Sequence, residues 1–326
     1  MIFSPDDSTE KNIGILICVN AIKYRIGTCR LHTILARRLC GLGYYVMYFD
    51  PAGIGDSEGV FQEKDIQEHH IDIEKGKYKE DIEDAITKFQ SFVSLDKIIS
   101  IGLCGGAISV LIEARDDDRV SDLILLGIPV IQPDTEGNQD EKEFDEASTI
   151  VTEEQASMAL SSMLVKVFSM ATWKRAMRFE INWKNELRVM ITSLAMIIKK
   201  MMKKFGKTGT RGDKDILLND EPITDHPRYN ILFQKSLGRV FAREGRVLFA
   251  FGDLDLITWQ FKSEILDKAL SAGNPYEHLY EAHILKNTNH VFTARESQIE
   301  LFGIIESWLN ERYVVAKTRS DSWSPF

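Results

Sequence analysis

Lys97-Ile98-Ile99-Ser100-Ile101-Gly102-Leu103-Cys104-Gly105-Gly106 is the stretch that decides the fold. Residues 97–102 read as a buried strand, and an apolar helical pattern runs from Cys104 to about Ala114. Strand, sharp turn and helix, with glycine two places either side of the turn residue, is the context of the G-x-S-x-G elbow, here with Cys for Ser. The glycines have a steric reason. The central residue takes a strained backbone, and side chains two positions away would collide with the neighbouring strand and helix. The first amides of the following helix lie near the sulfur, where they favour thiolate and can bind a developing oxyanion. Taken alone, the same five residues also describe a buried structural Cys in a glycine-rich, or phosphate-binding, turn.

Working outward, the N-terminal part alternates strands and helices. Residues 13–19 and 44–49 form short apolar runs, the pattern of strands buried on both faces. Residues 28–42 carry Leu31, Ile34, Leu35 and Leu39 at helical spacing, and residues 78–93 place Ile82, Ala85, Ile86 and Phe89 on one face. A further strand is predicted over 122–126. Repeated units of this length predict a parallel sheet covered by helices on both faces. The rhythm stops after Pro133. An acid-rich connection over 134–154 leads into a helical pattern to about Phe205, and strands return over 246–251 and 278–285. The expected organisation is therefore a core of residues 1–133 and 246–326 interrupted by a helical cap insertion, 134–245.

Composition bounds the class. The chain has 326 residues, a net charge of −9, 44% apolar residues and four cysteines. That apolar fraction excludes wholesale disorder, and the acidic balance argues against a nucleic-acid partner. No apolar run approaches the length of a membrane span. The polar start lacks the pattern of a secretory signal, and the cysteines lack metal-ligand spacing, so reduced thiols in the cytoplasm are expected. Cys29 and Cys40 are expected to pack in the core. His69-His70, in a charged stretch, reads as a solvated loop. Residues 187–202, Met-rich and running into Lys203, Lys204 and Lys207, read as a cap helix over an acyl pocket. The alternative is weak contact with an anionic membrane surface.

Two later segments bear on the elbow. Gly252-Asp253-Leu254-Asp255 follows the strand at 246–251, and Asn289-His290-Val291 follows the next. Nucleophile, acid and histidine in that order, each at the carboxyl end of a strand, is the order expected for an elbow of this kind. Cys104 is the candidate nucleophile, His290 the general base and then acid, and Asp255 or Asp253 the orienting carboxylate. The oxyanion hole would combine the Gly105 amide with that of Ala21 or Ile22. Tyr24 and Arg25 could hold a substrate carboxylate or phosphate, or form a surface loop with a structural Arg.

On these residues the chain resembles the α/β-hydrolase superfamily over nearly its whole length. Within it, the likeness is to the exosortase-system-associated hydrolases. That narrower resemblance rests on Tyr24-Arg25-Ile26-Gly27, Phe49-Asp50, Gly53-Ile54-Gly55-Asp56-Ser57-Glu58-Gly59, Gly102-Leu103-Cys104 and Gly252-Asp253-Leu254-Asp255. Cys at the elbow also resembles dienelactone hydrolases and polyester synthases. Asn20-Ala21 stands where the narrower family has a diglycine, and Ala52 where it has Arg. The superfamily pattern after Gly252 favours Asp255 as the acid. A hydrolase of small acyl esters or thioesters, without metal or other cofactor, is the expectation. Acyl transfer by the same residues is the alternative, as is a binding protein with a degraded site.

Overall fold

The computed structural model describes residues 1–6, 10–19, 24–60, 66–132 and 217–313. Within them the strands are β1 (Ile2–Phe3), β2 (Ile13–Cys18), β3 (Tyr45–Phe49), β4 (Lys97–Leu103), β5 (Val120–Leu126), β6 (Val247–Gly252) and β7 (Tyr280–Leu285). They form one sheet in the order β1-β3-β2-β4-β5-β6-β7. Every pairing is parallel except β1 with β3. The interior strands β2 and β6 are buried along their whole length, which is why they read as unbroken apolar runs instead of alternating ones.

Helices cover both faces. Residues Leu31–Gly41 (α1) and Arg295–Arg312 (α7) pack one face through Leu35, Leu39, Phe302 and Trp308. Residues Lys79–Phe92 (α3), Gly105–Ala114 (α4) and Ile231–Ala242 (α5) pack the other through Phe89, Ile108, Phe233 and Phe241. Two shorter helices, Ile66–Glu74 (α2) and Leu256–Phe261 (α6), complete the described α-helices, and a π-helical turn, Lys262–Leu266, follows α6. Because β2 has β3 on one side and β4 on the other, the chain changes direction between β2 and β4. In sheets of this kind ligands sit beyond the carboxyl ends of the strands at such a switch point. Cys104 directly follows β4 there.

The insertion is shorter at its end than the sequence predicts. Residues Met1–Thr135 and Lys214–Phe326 form one contact unit and Glu136–Asp213 another. Residue Leu217 and helix α5, expected in the cap, belong to the core. The reason is topological. Neighbouring parallel strands β5 and β6 need a crossover helix, and α5, buried through Phe233, Leu237, Val240 and Phe241, supplies it. The acid-rich connection and the basic stretch at 187–207 lie outside the described residues, as does most of the expected cap.

Three smaller expectations change. The stretch holding His69-His70 is helix α2, with His69 fully buried. Cys29 is exposed and Cys40 half-buried, so only Cys18 of the three is a core cysteine. Residues Thr28–Arg30, expected as the start of α1, form a separate turn of 3-10 helix with Cys29 and Arg30 at positive φ.

Candidate active site

The site is built from the ends of β4, β5, β6 and β7. Cys104 sits between β4 and α4 with φ 55° and ψ −118°. A non-glycine residue there costs about 1–3 kcal/mol, and it persists only when its surroundings hold it. Here its N–H donates to the Leu126 carbonyl at 2.8 Å, and its own carbonyl accepts from Ala107 at 2.9 Å and Ile108 at 3.2 Å. The flanking glycines leave no room for anything larger. A Cβ on Gly102 would lie 2.4 Å from the Gly106 carbonyl oxygen, and one on Gly106 would lie 2.5 Å from that of Val19. Strand, elbow and helix are therefore locked by backbone contact alone. No side chain caps the start of α4, so no side-chain acceptor competes for its first amides.

His290 and Asp255 meet across two loops. His290 Nδ1 is 2.6 Å from Asp255 Oδ2. The other carboxylate oxygen of Asp255 accepts the Ile257 N–H at 3.2 Å, so Asp255 also caps α6. Asp253 does different work. Its carboxylate accepts the Thr288 N–H at 3.2 Å, and the Leu254 N–H donates to the Thr288 carbonyl at 3.0 Å. Asp253 thus fastens the loop after β6 to the loop that carries His290. The contact is close, since a Cβ on Gly252 would lie 2.2 Å from the Thr288 oxygen. Gly127, at φ 52° just past β5, flanks the imidazole on its other side: a Cβ there would come within 3.0 Å of His290 Cε1. Neither Gly127 nor Thr288 carries a sequence signal of its own; each matters through what approaches it.

Burial alone would push the His290 imidazole down. Hydrogen bonds to the Asp255 carboxylate and the Cys104 sulfur, with the charges of both, override burial and raise it to about 10. The three side chains are therefore brought together as one electrostatic unit. Chemically, the arrangement joins a buried cysteine to a proton carrier held in one orientation.

Ala21 and Ile22 lie outside the described residues. Tyr24 and Arg25 are described, and both are engaged. The Arg25 guanidinium binds the carboxylates of Asp50 and Asp56, and the Tyr24 hydroxyl donates to Asp56 at 2.7 Å. The Arg25 N–H adds a bond to Asp50 at 2.6 Å. With Asp50 buried and Arg25 doubly paired, these residues clamp the loop after β2 to the glycine-rich turn after β3. Their charge is spent within the protein, in keeping with the structural-Arg alternative. A groove of about 700 Å³ between that turn and α3 takes none of Cys104, Asp255 or His290 into its lining. Among the described residues no three His, Cys, Asp or Glu side chains cluster as a metal site, and no helix is long and apolar enough to cross a membrane.

Solved structures share this architecture. The α/β hydrolase GrgF from Penicillium sp. sh18 matches with a TM-score of 0.50 at 15% identity, over 96% of this chain and 93% of that one. Est1E from Butyrivibrio proteoclasticus, solved with ferulic acid bound, matches with a TM-score of 0.48 at 14% identity, over 95% and 93%. An α/β serine hydrolase without lid from Xanthomonas campestris gives 0.47 at 12%, over 96% and 88%. No family model matches the chain, and the search of curated proteins found no match. The chain has the α/β-hydrolase fold, as its strand order and the match to GrgF together show.

Proposed function

We propose that this protein cleaves small acyl esters or thioesters through a covalent acyl-Cys intermediate. Cys104 is the nucleophile, His290 the proton carrier and Asp255 the carboxylate that orients it. The observation that carries the proposal is the unit just described: His290 Nδ1 held at 2.6 Å by Asp255 while the same ring is coupled to the Cys104 sulfur on its strained elbow. Asp255 fixes which ring nitrogen faces the sulfur, the role an orienting acid must play.

The steps follow from these positions. The sulfur attacks the acyl carbon, and the carbonyl electrons move onto oxygen, next to the Gly105 amide at the start of α4. The carbon–leaving-group bond then breaks as the His290 imidazolium gives its proton to the departing oxygen or sulfur. Neutral His290 next takes a proton from water, whose oxygen attacks the acyl-Cys. Collapse of the second intermediate releases the acid and restores the sulfur–imidazolium pair. An alcohol or amine in place of that water gives acyl transfer. A cytoplasmic setting agrees with four free thiols. The narrower kinship we propose, with exosortase-system-associated hydrolases, is supported by the segments around Tyr24, Gly53 and Cys104.

The test is Cys104→Ala and Cys104→Ser against a panel of phenyl esters and acyl thioesters. Loss of turnover by about 10³-fold or more is expected for Ala, with a small residue for Ser. Full activity of Cys104→Ala would refute the mechanism.

A further inference from the structure

His290 sits on a closed turn that helix α7 holds from both ends. The Phe292 N–H donates to the Asn289 carbonyl at 3.2 Å, which closes a four-residue turn with His290 and Val291 at its centre. The Asn289 side chain straps the same turn, accepting the Thr293 N–H at 3.1 Å and donating to the Thr293 hydroxyl at 2.8 Å. Phe292 takes φ 51°, a left-handed conformation that a bulky residue keeps only when its surroundings impose it.

Two features impose it. The Phe292 ring is fully buried, in the cluster that includes Leu301 and Phe302 of α7. The Phe292 carbonyl accepts from Gln298 Nε2 at 3.0 Å. One residue earlier in α7, the Ser297 hydroxyl pairs with that of Thr288 at 2.8 Å. Thr288, Ser297 and Gln298 are all buried. Consecutive residues near the start of α7 thus grip the loop two positions before His290 and two positions after it. The two grips differ in weight. Thr288 is also tied through its N–H to Asp253, through its carbonyl to the Leu254 N–H, and through its hydroxyl to the Lys286 carbonyl. Downstream of His290, the hold from α7 passes through Gln298.

We propose that Gln298 is a positioning residue for His290: its amide keeps Phe292 left-handed and the turn closed, so that the imidazole stays on the Asp255 carboxylate. The consequence for turnover rests on the acyl-Cys reading above. In that cycle the imidazole gives one proton to the leaving group and takes one from water, each over hydrogen-bond distance, so a displaced turn costs rate. A side chain without a donor at position 298 would leave the buried Phe292 carbonyl unpaired. Phe292 relieves that loss, and its own strain, by leaving the left-handed region, which opens the turn under His290.

The full-length protein carrying Gln298→Met, close in size and without a donor, tests this with p-nitrophenyl acetate as probe. Its kcat is expected to fall about tenfold or more, with KM within about twofold of the wild type. An NMR titration of His290 should move below its wild-type position, because the ring loosens from Asp255. Gln298→Glu, whose buried carboxyl keeps a proton to donate at pH 6, should match the wild type there and fall below it as the carboxyl ionises. Ile305→Val, a core substitution in the same helix, should lower the melting temperature yet leave kcat and the His290 titration unchanged. Wild-type kcat and His290 titration in Gln298→Met, an equal loss in Ile305→Val, or a Gln298→Glu profile identical to the wild type at every pH would overturn the assignment of Gln298. The His290 titration needs no substrate and so decides on Gln298 by itself. Ester turnover that survives Cys104→Ala, or no turnover by the wild-type protein, counts instead against the acyl-Cys reading.

Discussion

Asp255→Asn separates the charge of the orienting acid from everything else that Asp255 does. Asn is as good a helix N-cap as Asp, so the bond to the Ile257 N–H and the start of α6 should survive. What disappears is the negative charge 2.6 Å from His290 Nδ1. In the wild type, His290 stands at about 10 against an ordinary value of 6.5. At about 1.4 kcal/mol per unit, that difference corresponds to about 5 kcal/mol of preference for the imidazolium. The hydrogen bond to Asp255 is the largest cause of the rise, so removing its charge should bring the His290 titration down by a substantial part of that difference. The sign of the stability effect follows. A histidine raised on folding stabilises fully below its unfolded value, and the contribution fades as pH climbs to the folded one. The stability gap between wild type and Asp255→Asn should therefore be widest and level below the variant's lowered His290 titration point, and should close between that point and about pH 10. Nitrogen-resolved NMR titration of His290, assigned with His290→Gln, reads the proton directly, and urea melts at four pH values read the gap. An unchanged His290 titration in Asp255→Asn, or a gap constant from pH 6 to pH 10, would refute the electrostatic unit.

Other consequences are more local. Asp253→Asn should leave the His290 titration where it is, yet loosen the loop tied to Thr288, which hydrogen exchange at the Thr288 amide would report. Gly106→Ala should destabilise the fold by about 2–4 kcal/mol in urea melts, since its Cβ meets backbone oxygens of both Cys18 and Val19 that cannot move aside. Glu113 is buried, and burial together with its hydrogen bond to Asp117 raises it to about 9. The protonated side chain is retained at a cost that grows as pH rises from about 4.5 and levels off above about 9. Glu113→Gln should therefore gain on the wild type across that window. Asp122 is buried under Arg312 and the Tyr313 hydroxyl and accepts the Arg246 N–H. Asp122→Ala, which strands Arg312, should cost about 3 kcal/mol and speed exchange at the end of α7.

What the sequence reveals and what it hides divide along a physical line. The elbow is legible because its constraint is local: Gly102, Cys104 and Gly106 lie within five residues, and the collisions that demand glycine are between segments adjacent in chain or sheet. The strands are legible for a related reason, since a parallel interior strand must be apolar on both faces whatever surrounds it. Helix α2 is not. Its stretch is rich in charge, and its packing depends on His69 finding Tyr78 and Lys77, partners that no periodicity announces. Helix α5 shows a different failure. Phe233, Leu237, Val240 and Phe241 have clear helical spacing, but spacing does not say whether a helix covers a sheet or belongs to an insertion. The neighbouring of β5 and β6 decides that. The choice between Asp253 and Asp255 belongs to the same class. Two carboxylates two residues apart at the end of a strand point in different directions. One reaches the Thr288 amide and the other the His290 ring only because the loops after β6 and β7 are clamped at Gly252. Removing that clearance, by Gly252→Ala, should then uncouple His290 from Asp255 even though neither partner is altered. A His290 titration in that variant matching the one in Asp255→Asn is the expected sign that loop contact, and not residue identity alone, makes Asp255 the partner.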